Sequence, residues 1–183
     1  SGLNLGPLGG DPVPPPDSPN PLGPVSASWE GISSDFQWEP PDPHGAAGPN
    51  GIIQTVNLRI KYWQKNGQGI WGPLDLSTFY SSVGIKANNI LSDPRVMFDH
   101  VSGHFYVALL EADDSVRKSY LNLAVSKTAN PATSGPADWY FYRIEDTETI
   151  GGTKYWTDYP GMGVDGQAVY VTVDEHVPTS GGS

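Results

Sequence analysis

Asp93-Pro94-Arg95-Val96-Met97-Phe98-Asp99 runs through Gly103 into Phe105-Tyr106-Val107-Ala108-Leu109, and about sixty-five residues later the chain says nearly the same thing again. The second copy reads Asp158-Tyr159-Pro160-Gly161-Met162-Gly163-Val164-Asp165, turns at Gly166, and continues Val169-Tyr170-Val171-Thr172-Val173. Self-similarity at such a period marks modules that stack or ring an axis, because each module needs a neighbour to bury its apolar face. A fainter copy lies upstream, where Gly45-Ala46-Ala47-Gly48-Pro49-Asn50-Gly51 leads into Ile52-Ile53-Gln54-Thr55-Val56. Asn50-Gly51, Ser102-Gly103 and Asp165-Gly166 hold the equivalent turn. Glycine is expected there for its freedom at positive φ, which tight hairpins demand. Each copy therefore predicts the opening hairpin of a module.

Composition agrees with short strands and many turns. Only 37% of the 183 residues are hydrophobic, while 22 are Gly and 18 are Pro, a balance that disfavours a helical fold. The net charge of −10 argues against nucleic acid, which needs a basic face, and it would attract cations. The absence of cysteine excludes disulfides, thiolate catalysis and Cys-based zinc sites. There is no run of about eighteen apolar residues of the kind a membrane helix needs, so no membrane span is expected.

Residues 1–27 read as an extended arm or linker, with Pro12, Pro14, Pro15, Pro16, Pro19, Pro21 and Pro24 interleaved with Gly, Asp, Asn and Ser. Proline fixes φ and removes a donor, so such a segment favours polyproline II over a sheet ladder. A single domain is expected over residues 28–183. Asp35 to Glu39 alternates polar and aromatic residues and predicts a strand, and Asn57 to Gln64 predicts another, with Leu58, Ile60 and Tyr62 sharing one face. Thr78 to Leu91 is irregular and reads as a connection. The middle module predicts four strands, Val96–Asp99, His104–Glu111, Lys118–Ser126 and Trp139–Glu145. Four antiparallel strands in about fifty residues, followed by the start of another set, is the pattern of a propeller blade. The expected fold is all-β, with about two and a half propeller-like blades in an incomplete ring; a β-sandwich is the alternative.

Pro40-Pro41-Asp42-Pro43-His44-Gly45-Ala46-Ala47-Gly48-Pro49-Asn50 resembles the opening motif of a large group of exported, mostly uncharacterised bacterial proteins expected to be β-propellers. Leu91-Ser92-Asp93-Pro94-Arg95-Val96, Leu123-Ala124-Val125-Ser126-Lys127-Thr128 and Trp156-Thr157-Asp158-Tyr159-Pro160 are similar to that group's recurring motifs. The resemblance covers roughly residues 40–173 and implies a secreted or surface-attached protein. It carries no catalytic residue with it.

Two sets of side chains are candidates for chemistry. Asp93, Asp99, Asp158 and Asp165 recur at the repeated hairpins, and hard oxygens beside loop carbonyls suit Ca²⁺. The plainer alternative is that each aspartate caps the amides of its own turn. Trp63, Trp139, Tyr155, Trp156 and Tyr159 fall at strand edges and loops, where rings stack on sugars or on another subunit. Against this stands the role of large aromatics in filling gaps between blades. His100 and His104 are separated by a turn and share no helical face, so their spacing carries little weight, and convergence with Asp99 across the hairpin is the weaker metal reading. There is no G-x-S-x-G elbow, H-E-x-x-H pair or phosphate-cradling loop.

An open set of blades leaves backbone donors and acceptors on exposed edges. The function expected from sequence is therefore a non-enzymatic extracellular or cell-surface scaffold or binding module that completes its sheets by self-association, as a filament where the contact does not close. The alternative is a fragment of a secreted propeller enzyme acting on polysaccharide, hydrolase or lyase, with Asp93 and Asp158 at its mouth.

Overall fold

A computed structural model describes residues 27–33 and 39–177. All of the expected arm except Ala27, and residues 35–38 of the expected strand before Pro40, lie outside the described residues. The chain is all-β and antiparallel, in three sheets with almost no helix. Sheet 1 contains β1 (His44–Ala47), β2 (Gly51–Val56), β3 (Arg59–Gln64) and β4 (Gly69–Asp75), in that order. One helical turn, α1 (Leu76–Phe79), and a 3-10 turn (Ser81–Val83) lead to sheet 2. That sheet holds β5 (Ile90–Asp99), β6 (His104–Asp113), β7 (Lys118–Ser126) and β8 (Trp139–Glu145), again in order. Sheet 3 is made of β9 (Glu148–Ile150), β10 (Thr153–Val164) and β11 (Val169–His176), with β10 in the middle. No ring closes among the described residues, and a stack of this kind is compatible with both blades and a sandwich.

The three opening hairpins, β1–β2, β5–β6 and β10–β11, are antiparallel pairs at the places the repeated segments predict. β5 and β10 share an irregularity. The register slips between Ser92 and Arg95 in one and between Asp158 and Gly161 in the other. Each slip contains a proline, which has no N–H for the ladder, so a bulge takes it out of the pairing. The residue before that proline has positive φ both times, Asp93 at 50° and Tyr159 at 46°; Asp42, before Pro43 at the start of β1, is at 39°.

Of the turn glycines, only Gly103 takes the positive φ (73°) that was expected of all three. Gly51 is needed for space instead. A Cβ there would lie 2.3 Å from the Tyr62 ring and 2.6 Å from the Trp63 carbonyl oxygen. The strand expected from Asn57 also begins later, at Arg59, because Asn57 and Leu58 form the β2–β3 turn with Leu58 at φ 77°.

Sheets 1 and 2 bury the main core between them. Ile53, Ile60 and Tyr62 from sheet 1 and Leu76 and Phe79 from α1 meet Val96, Phe105, Val107, Leu109, Ala124 and Trp139 from sheet 2. Aromatic edges knit the layers, with Tyr62 against Phe105 at 5.8 Å, Phe79 against Trp139 at 5.1 Å and Phe79 against Phe141 at 5.1 Å between ring centroids. The Tyr80 hydroxyl, fully buried, donates to the Val107 carbonyl at 2.7 Å. The core face of β7 and β8 thus carries Asn122, Ala124, Ser126, Trp139 and Phe141, and the more apolar stripe of Leu121, Leu123 and Val125 with Tyr140, Tyr142 and Ile144 faces away from sheet 1.

One buried ion pair sits in this interface. Glu111 receives Arg143 through Nε and Nη2, both at 2.8 Å, and amide donors from Asn122 and Asn89. Burial pushes its carboxyl up, but the Arg143, Asn122 and Asn89 hydrogen bonds more than offset this and hold it below the usual glutamate range.

Candidate functional site

The first strands of the three repeated hairpins lie side by side, β1 against β5 and β5 against β10. Their bulges and prolines bring Asp42, Asp93 and Asp158 to one place. Asn57, displaced from β3 into the turn, ties this end together. Its Nδ2 donates to Asp42 Oδ2 at 2.6 Å and to the Pro40 carbonyl at 2.8 Å, while its Oδ1 accepts from the Asp93 amide at 3.2 Å.

Asp93 and Asp158 are close enough to share a hydrogen bond. The Asp93 carboxyl is pushed up to about 6, first by burial and then by the Asp158 and Asp42 carboxylates beside it. Direct contact also bears on the enzyme expectation, since glycoside hydrolysis places its two carboxyls roughly 5–9.5 Å apart to admit the sugar oxygen or a water. Asp158 further accepts the Tyr159 amide at 2.9 Å and lies 3.8 Å from His176 Nε2.

Arg95 crosses from sheet 2 to sheet 3. Its Nε donates to the Pro160 carbonyl at 2.9 Å, and its guanidinium lies 5.0 Å from the centre of the Tyr159 ring. His44 Nδ1 accepts the Val96 amide at 3.2 Å, so the ring bridges sheets 1 and 2. Burial and then the nearby Arg95 charge hold that imidazole below its usual range, in the neutral form the hydrogen bond requires.

The other two predicted acids lie at the far ends of the same strands. Asp99 accepts the Val101 and Ser102 amides, both at 2.9 Å, and Asp165 accepts those of Gln167 and Ala168 at 2.8 and 2.9 Å. Both act as caps of their own hairpins: the Ser102 hydroxyl and then the Val101 and Ser102 amides hold the Asp99 carboxyl below the usual aspartate range, and the Gln167 and Ala168 amides do the same for Asp165. Among the described residues no group of three or more His, Asp or Glu is arranged to hold a metal ion.

The five predicted rings are not brought together. Trp139 is buried at the centre of the aromatic layer, with Nε1 donating to the Thr133 carbonyl at 3.0 Å. Trp63 is buried on the opposite side of sheet 1, under the Lys61 ammonium at 3.6 Å and beside Trp29. Neither offers a face to a ligand. Tyr155 and Trp156 are half-buried in β10, and the Trp156 indole N–H is buried without a partner among the described residues. Tyr159, 67% exposed, is the ring that stays open, and it stands next to the Asp93–Asp158 pair.

Sequence reasoning missed Asn57 and Asp42 as members of the acidic end. Asn57 carries no motif of its own, and only the fold brings it to the three aspartates. It also missed an open groove of about 540 Å³ between sheet 1 and the loop after β7, lined by Asn50, Tyr62, Gln64, Ile70, Asn130 and Pro131. Asn50 Nδ2 spans it to Asn130 Oδ1 at 2.9 Å, and Trp71 Nε1 donates to the Pro131 carbonyl at 3.0 Å, so this groove is a seam stitched between two sheets. Comparison of the chain with models of known families, with curated proteins and with solved structures finds no match.

Proposed function

We propose that the chain is a non-enzymatic extracellular or cell-surface scaffold of propeller-like blades that completes itself by association with another copy. The observation that carries this reading is the unequal treatment of the two ends of the stack. Residues 27–33 overlie the outer side of sheet 1, where Trp29 meets Trp63, the Ile32 amide donates to Gln54 Oε1 at 3.0 Å and a Cβ on Gly31 would strike the Gln54 side chain at 2.6 Å. Sheet 3 has no such cover among the described residues. Tyr170 and Thr172 stand exposed on it, paired with the glycines at 163 and 161, which add no side chain of their own. An exposed sheet face at one end of a stack whose other end is covered is a surface for a partner.

The cap on sheet 1 also favours one form of association. A filament needs two different open ends, whereas a closed pair uses the same end twice. With one end covered, a two-fold pair through sheet 3 is the economical assembly. Propeller-like stacking is supported by the adjacent opening strands β1, β5 and β10, and export by the resemblance of the Pro40–Asn50 motif. Mass in solution tests the proposal. A species of twice 19.6 kDa that dissociates on dilution is expected, and a monomer at every concentration would defeat it.

A further inference from the structure

The two faces of sheet 2 are covered to different depths. Toward sheet 1, burial extends to the fourth strand, because β4, α1 and the 3-10 turn lie over Trp139 and Phe141. Toward sheet 3, burial fades one strand at a time. Ala108 and Leu110 on β6 are 0% and 2% exposed, and Leu121, Leu123 and Val125 on β7 are half-buried. Tyr140, Tyr142 and Ile144 on β8 are 53%, 48% and 48% exposed. Val125–Tyr140, Leu123–Tyr142 and Leu121–Ile144 are directly opposed cross-strand pairs, so these six side chains make one continuous apolar stripe. The coverage stops where sheet 3 runs out of strands: β10 packs on β5, β6 and β7, and β11 is the outer edge with no strand beyond it among the described residues.

We infer that the free edge of β11 and the outward stripe of β7–β8 form one docking surface, and that its occupant is a two-stranded antiparallel β-hairpin added to sheet 3 as two further strands beyond β11. An edge strand offers unpaired donors and acceptors that fix such a hairpin by backbone pairing, and the stripe selects one with large apolar residues at alternate positions. The surface continues an interface already present, that between sheets 2 and 3. The β7–β8 hairpin of this chain illustrates the chemistry required. In its own place it pairs on β6, the second strand of the β5–β6 hairpin as β11 is the second strand of the β10–β11 hairpin, and it turns Trp139 and Phe141 toward the neighbouring sheet. This acceptor surface is separate from the outer side of sheet 3 through which copies would associate, and it stands whether or not they do.

The test uses the full chain and a synthetic peptide of residues 118–145. Saturation with the peptide is expected to slow amide exchange across Val169–His176 at least tenfold, and to shift the ring signals of Tyr140 and Tyr142. The exposed replacements Tyr142→Lys and Tyr140→Lys should each weaken binding about tenfold while leaving the melting curve in place. No slowing at β11, equal slowing by a scrambled peptide, or lysine variants that bind as tightly as the wild type would overturn the inference. So would Tyr140 and Tyr142 signals that depend on residues 1–26 or on chain concentration, since the arm or a second copy would then be the occupant. Peptide binding to a chain that stays monomeric would sink self-association and leave this surface standing; the reverse pattern would do the opposite.

Discussion

Replacing Asp93 by asparagine should make the protein more stable at pH 8 and change little at pH 4. In the folded chain the carboxyl lies against Asp158 and near Asp42, and its pKa rises from the ordinary 3.8 to about 6. A group whose folded pKa is raised stabilises the fold fully at pH values below its unfolded pKa, and that contribution is lost as pH climbs through the folded value. At about 1.4 kcal/mol per pH unit, the displacement would be worth about 3 kcal/mol for a carboxyl sealed from water. Asp93 is only half-buried, and solvent screening lowers the expected contribution to about 1 kcal/mol. Asparagine keeps the shape, donates to Asp158 without needing a proton, and tolerates the positive φ of 50° better than most residues. Urea melts of both proteins between pH 4 and 8 should therefore diverge by about 1 kcal/mol above pH 6 and converge near pH 4. Parallel curves, or an advantage that grows as pH falls, would refute the placement of the two acids.

Three further outcomes follow from the packing. Arg143→Met should cost about 3–5 kcal/mol in chemical melts, because Glu111 is left buried without its cation. The loss should shrink as pH falls through and below the ordinary glutamate range, since Glu111 can then take up a proton and no longer needs the cation that depresses its folded pKa. Trp139→Ala should lose about 3–5 kcal/mol and leave a cavity against Phe79 and Trp71, read as a lower denaturation midpoint with slope unchanged. Gly51→Ala should cost about 1–3 kcal/mol through the Tyr62 contact, whereas Gly166→Ala, whose Cβ would find only Val101 at 3.9 Å, should be near neutral.

What could be seen in the sequence divides along physical lines. β7 and β8 begin and end where alternation and turn residues placed them, because period and breakers are local properties. β5 is six residues longer at its start than expected. Pro94 looks like a breaker, but a bulge absorbs it and the pairing resumes upstream. The β2–β3 turn was hidden for the converse reason: Leu58 adopts positive φ without any glycine to announce it. Asp93 and Asp158 stood out by repetition, yet their meeting, and the part of Asp42 and Asn57 in it, depends on how three sheets stack. Trp139 shows the limit of reading aromatics by position, since a residue at a strand end lies at the centre of the core.

Self-association through sheet 3 can be read from a single site. The chain has no cysteine, so Glu175→Cys in β11 carries a unique spin label, with Lys65→Cys in the β3–β4 turn as its counterpart at the capped end. The expected result is dipolar coupling between labels of two copies at position 175, lost on dilution with unlabelled chain, and none at position 65. Coupling at 65 alone, or at neither position, would contradict association through the open sheet.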